Sequence, residues 1–175
     1  MNRILASIFI AALLCSSPAM AADTDAGTCF YGPPPTAAQI TKLAAATDGD
    51  VSTATQSKVT YINVKWPDVS LSITVDPTVD RQELIYGART WVSGLPAKDR
   101  SSKLVAPFLA DLDRLSLCYG SVVTPDFDKE GKVVALLKKI VTPTGGYFFT
   151  HQTFYTIEGV RIVGVEGAPS KLGPK

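Results

Sequence analysis

The clearest pattern of apolar and polar positions lies in Lys58–Val75, KVTYINVKWPDVSLSITV. Val69, Leu71, Ile73 and Val75 alternate with Ser70, Ser72 and Thr74, the period-2 signal of a half-buried strand. Folding the segment back at Trp66-Pro67-Asp68-Val69 sets Trp66 opposite Val69, Val64 opposite Leu71 and Ile62 opposite Ile73, which gives the hairpin one apolar face. That face needs a cover, and helical periodicity elsewhere supplies it. Thr36 is placed to cap a short helix with Ile40, Leu43 and Ala44 on one side; the polar stretch from Thr47 to Ser57 reads as its end and a loop. Asp80–Ser93 is the strongest helix prediction: Asp80 as N-cap, Glu83 three positions on, and Leu84, Ile85, Ala88, Trp91, Val92 and Leu95 as an apolar stripe. Trp91 is read as core.

Ser101–Leu115 reads as a second helix, either kinked at Pro107 or starting near Ala106 with Pro107 in its first turn. Ser116–Thr124 is a strand ended by Pro125. A third main helix, capped by Asp128 or Asp126, runs to about Val141 with Val133, Val134, Leu136, Leu137, Ile140 and Val141 apolar. Tyr147–Thr156 and Val160–Val165 are expected to pair as a last hairpin across Ile157-Glu158-Gly159. The order is α-β-β-α-α-β-α-β-β. It indicates an α+β domain over residues 36–166, with one mainly antiparallel sheet of about five strands and helices packed on one face. Residues 23–35 read as an N-terminal leader with a stiff Gly32-Pro33-Pro34-Pro35 turn, and residues 167–175 as a frayed tail.

The first 22 residues change the biological picture. Arg3 is followed by the apolar run Ile4–Leu14, a break at Ser16-Ser17-Pro18, and the small residues Ala19-Met20-Ala21-Ala22. This is the three-part pattern of a secretory signal peptide, and the run is too short to span a bilayer. Leu13 and Leu14 before Cys15 speak against lipidation, which wants a small residue there. Export to the periplasm or beyond the cell is therefore expected, with no membrane span in the processed chain.

The processed chain would keep two cysteines, Cys29 and Cys118. An even pair in an exported protein is most simply a disulfide, closing a loop of about 90 residues for some 4–5 kcal/mol in the chain-entropy view. The full chain has 17 Lys and Arg against 16 Asp and Glu, and Arg3 lies in the leader, so the remainder balances. A neutral chain lacks the positive footprint of a nucleic-acid binder or a polybasic membrane tether.

Candidate chemistry is sparse, and no cofactor is expected. Asp126-Phe127-Asp128-Lys129-Glu130-Gly131 begins like a calcium loop, but its twelfth position is Leu137, where a bidentate Glu belongs. Asp111 and Asp113 sit two apart on a predicted helix and so point to different sides. His151, the only histidine, falls in a predicted strand without a nucleophile elbow, and one His cannot build a zinc site. A small hydrolase using His151 with an Asp is the enzymatic alternative. Tyr147, Phe148, Phe149, Phe154 and Tyr155 exceed what one buried face of a strand needs. If helices cover one face only, Phe148, Phe149, Phe154 and Tyr155 mark a surface for a protein partner; a sheet covered on both faces would bury them instead.

KWPDVSLSITVDP, TPDFDKEGKVVALL and IEGVRIVG resemble segments of a group of uncharacterised bacterial α+β proteins, with a Trp-Pro-Asp-type hairpin, a Pro-x-Phe-Asp-x-x-Gly lead into a helix and a final strand turn with Gly. The resemblance spans residues 58–164 and implies a fold order and no activity. The expected role is a non-catalytic, inhibitor-like or immunity-like binding module of the cell envelope, with a structural accessory of an envelope complex as a further alternative.

Overall fold

The computed structural model describes residues 24–100, 102–125, 131–164 and 170–172. The expected signal peptide, the caps at Asp126 and Asp128, and much of the tail lie outside the described residues.

The chain is α+β, but its sheet has eight antiparallel strands rather than about five. In chain order the strands are β1 Thr24–Phe30, β2 Asp50–Gln56, β3 Val59–Lys65, β4 Ser70–Val75, β5 Leu117–Thr124, β6 Gly146–Thr150, β7 Thr153–Thr156 and β8 Arg161–Gly164. The helices are α1 Ala37–Ala45, α2 Arg81–Gly94, α3 Ala97–Arg100, α4 Val105–Asp111 and α5 Lys132–Val141, with a 3-10 turn at Leu112–Arg114. The spatial order is β2-β3-β4-β5-β1-β6-β7-β8. Two meanders, β2 to β5 and β6 to β8, are therefore joined by β1, which pairs with β5 on one side and β6 on the other.

Each departure from the expected order has a local cause. Thr24–Phe30, read as part of a leader, is a central strand; its small residues hide the alternation, although Ala26 and Phe30 face one core and Cys29 the other. Asp50–Gln56, read as a loop, is an edge strand exposed on both faces except for a half-buried Val51, so its sequence carries no apolar period. The single strand expected over Tyr147–Thr156 is two strands joined by His151-Gln152, both at positive φ (49° and 52°). Such a primed two-residue turn normally shows Gly or Asn, and this one shows neither.

Other expectations match. The β3–β4 register sets Val64 opposite Leu71 and Ile62 opposite Ile73, and Trp66 N–H donates to the Val69 carbonyl at 2.9 Å. Thr36 caps α1 in a reciprocal capping box with Gln39. Asp80 caps α2 by accepting from the Gln82 N–H at 2.8 Å, although no box with Glu83 forms. Pro107 stands in the first turn of α4, where no intrahelical N–H is lost. Gly131, expected within the first turn of the third main helix, instead stands before it as the N-cap of α5, with φ of 68°.

Helices cover both faces of the sheet rather than one. On the first face, α1 (Ile40, Ala44) and α5 (Val133, Leu136, Leu137, Ile140) close over Ile62, Leu71, Ile73, Tyr119 and Phe148. On the other, α2 (Ile85, Val92) and α4 (Val105, Phe108) close over Cys29, Cys118, Tyr147, Phe149 and Ile162. The cover of this second face lies over the part of the sheet that runs from β5 to β8.

Candidate functional site

The aromatic hairpin is interior. Every residue of β6 is buried, and its side chains divide between the two cores: Phe148 enters the first, Tyr147 and Phe149 the second. Phe148 is 0 % exposed, Phe149 8 % and Tyr155 1 %; Phe154 is half-buried, with its ring centroid 5.5 Å from that of Trp91. The expected uncovered patch at Phe148, Phe149, Phe154 and Tyr155 is thus replaced by core packing, because cover on two faces needs apolar residues at consecutive positions. Trp91 packs on the second core, as its helical spacing predicts.

His151 stands at the first central position of the β6–β7 turn and is exposed. Its Nδ1 lies 3.0 Å from the Thr150 hydroxyl, and its carbonyl accepts from the Thr153 hydroxyl at 3.2 Å. Among the described residues no group of three or more His, Cys, Asp or Glu side chains is arranged to hold a metal ion.

Cys29 and Cys118 face one another across β1 and β5, at a disulfide-bonded S–S distance of 2.06 Å. Beside them lies a polar knot that sequence reasoning missed. Tyr31 Oη and Tyr147 Oη both donate to Asp111 Oδ2, at 3.1 and 3.2 Å. Arg114 donates to Asp111 Oδ1 at 3.1 Å and holds its guanidinium 4.7 Å from the Tyr31 ring centre. Burial, the Tyr147 hydrogen bond and the Asp111 charge push the Tyr31 hydroxyl well above its ordinary range. Burial works to raise the Asp111 carboxyl too, but its hydrogen bonds from Arg114, Tyr31 and Tyr147 outweigh it and hold the group below its ordinary value. Two protonated phenols on one ionised carboxylate make a tie between α4 and the sheet; neither phenol is poised as a base or nucleophile. The sequence placed Asp111 on a helix, but its partners lie 80 and 36 residues away.

The surface with most to offer a ligand is the second face of β2–β4 with the Gly120–Thr124 end of β5, which no described helix covers. Three cross-strand rows run over it: Ser52–Asn63–Ser72–Val122, Ala54–Tyr61–Thr74–Gly120, and Asp50–Lys65–Ser70–Thr124. All are exposed or half-buried, with Val122 38 % and Tyr61 37 % exposed. A shallow groove of about 330 Å³ lies on this face, lined by Asp50, Ser52, Asn63, Lys65, Ser72 and Val122 among others. The alternation Ser70, Ser72, Thr74 announced this polar face; what the sequence withheld was that it stays uncovered. At its border Val122 pairs with Asp25, whose carboxyl burial raises above its ordinary value.

No helix among the described residues is long and apolar enough to cross a membrane. The chain matches no known protein-family model, no curated protein and no solved structure, so the resemblance of residues 58–164 rests on its three segments alone.

Proposed function

We propose that this protein is an exported, disulfide-braced domain that acts by binding another protein, with the uncovered half of its sheet as the contact surface. The observation that carries this reading is the set of three polar rows on β2–β5, held rigid from behind by the first core. Hydroxyls and an amide at Ser52, Asn63, Ser70, Ser72, Thr74 and Thr124 supply hydrogen-bonding groups, while Tyr61 and Val122 supply apolar area. That mixture carries one acid and one base, and its polarity suits the wet, hydrogen-bonded rim of a non-obligate contact, with Tyr61 and Val122 as its apolar points. The groove is too open to enclose a small molecule, which favours a protein over a metabolite. The signal-like start of the chain and the cross-strand cysteines favour an envelope or extracellular setting, and an inhibitor or immunity-like role fits a rigid binder there. His151 stands exposed on the β6–β7 turn, which supports the hydrolase alternative less than the binding reading.

Affinity capture from an envelope extract tests this, comparing the wild type with Ser72→Arg and Val122→Arg. A protein retained by the wild type and lost by both variants, each melting like the wild type, is the expected result. No specific protein, or one held equally by all three, refutes it.

A further inference from the structure

The two ends of the sheet are treated differently. At β8 the chain covers its own edge: Val160 bridges Lys171, Arg161 N–H donates to the Ser170 carbonyl, and Leu172 N–H to the Gly159 carbonyl. At β2 no described strand pairs with the outer edge. Natural edge strands are commonly blunted by Pro, Lys, a bulge or short length. Asp50–Gln56 has none of these: it runs seven residues, pairs with β3 in unbroken register, and contains no Pro, Lys or Arg.

We infer that the outer edge of β2 is an interface for a second copy of this chain, joined antiparallel about a two-fold axis at Thr53. Gln56 and Val59 close a two-residue turn as a hydrogen-bonded pair. Alternate residues Gln56, Ala54, Ser52 and Asp50 therefore direct their backbone groups to β3, while Thr55, Thr53 and Val51 direct theirs outward. A two-fold at Thr53 brings these outward groups together: Thr53 opposite Thr53, and Val51 opposite Thr55, each pair able to exchange two N–H···O bonds.

Self-complementarity selects a second copy over an unrelated peptide. In this register Asp50 faces Gln56 and Ser52 faces Ala54, so no like charges oppose one another. Two residues beyond the strand end, the same register brings Asp48, exposed and 3.7 Å from Lys132, toward the exposed Lys58 in the turn of the other copy. The junction uses the strand edge and leaves the rows of β2–β5 open; it aligns the two polar faces on one side of a continuous sheet.

The test is the molar mass of the purified protein by light scattering at about 100 μM, where an interface of micromolar affinity is saturated. Two variants accompany it. Thr53→Pro removes an outward N–H and is tolerated where that group faces away from the neighbouring strand. Thr53→Lys places like charges across the axis. A dimeric wild type, with monomeric variants that keep the wild-type circular dichroism, is expected; if Thr53→Pro does not fold, Thr53→Lys alone decides. A monomeric wild type, or a dimer that survives Thr53→Lys, overturns the inference. Either result leaves the capture experiment to be judged separately.

Discussion

The ring of Phe149 lies against Gly27 on the neighbouring strand: a Cβ at Gly27 would fall 2.6 Å from Phe149 Cζ and 2.4 Å from the Tyr119 carbonyl oxygen. The seat for this aromatic is thus cut from the backbone of β1. Gly27→Ala should destabilise the domain by about 1–3 kcal/mol or more through overpacking. Phe149→Ala should cost about 3–5 kcal/mol as a buried aromatic. Urea unfolding of both measures this; a Phe149→Ala protein as stable as the wild type would mean that the ring is not part of the core.

Cys29 and Cys118 stand 89 residues apart in sequence. Chain-entropy arguments value such a cross-link at about 4–5 kcal/mol, so the double Cys→Ala variant should lose stability of that order. Equilibrium unfolding with and without reductant checks it: reductant should weaken the wild type and leave the double variant unchanged.

Asp25 gives the pH dependence a defined sign. Its folded-state carboxyl is raised above the ordinary 3.8, with burial as the cause. The folded state then holds this proton more tightly than the unfolded chain, so the group's contribution to stability falls as pH rises from its ordinary value through its raised one. Asp25→Asn should melt above the wild type at neutral pH, with the difference closing toward about pH 3, below both the ordinary and the raised value of this carboxyl. Melting curves across that range decide; a variant that melts lower at neutral pH contradicts the sign.

Ser121 Oγ is buried within the first face of β5 without a hydrogen-bond partner. Ser121→Ala removes a desolvated hydroxyl and leaves the backbone pairing of β5 intact. It should leave stability unchanged or raise it, by about 1 kcal/mol at most. A loss of more than that in urea would reveal a bond made by this hydroxyl in solution.

Both tight turns use residues that resist their own backbone. Ser57 and Lys58 (φ 50° and 75°), like His151 and Gln152, occupy the left-handed region with ordinary side chains. Lys58→Gly and Gln152→Gly should each stabilise by about 0.5–1 kcal/mol, since glycine adopts that region freely. Thermal melts of the single variants check this.

These turns also explain what could be read in the sequence. Amphipathic segments with a period and a cap were legible: the β3–β4 register, α1 from Thr36, and α2 from Asp80. Elements whose signal depends on a distant partner were not. β2 has no apolar face because it is an edge, and β1 shows small residues because Phe149 rests on one of them. The β6–β7 break lacked turn residues, so one strand was expected where two exist. The aromatic excess of residues 147–155 was visible; that it reports cover from two sides follows only from the placement of α2 and α4 opposite α1 and α5. The polar face was visible as alternation in β4, whereas its neighbours on β2 and β5 came from pairing that sequence spacing does not encode.

Thr24–Phe30 is the seam between two ribbons, each of which is assembled from neighbours in the chain. A ribosome delivers this seam early, yet its nearest partners begin at Leu117 and Gly146. The earliest described strand must therefore stay unpaired until Leu117–Thr124 follows it, and its second partner comes later still, a long-range pairing of the kind that slows folding.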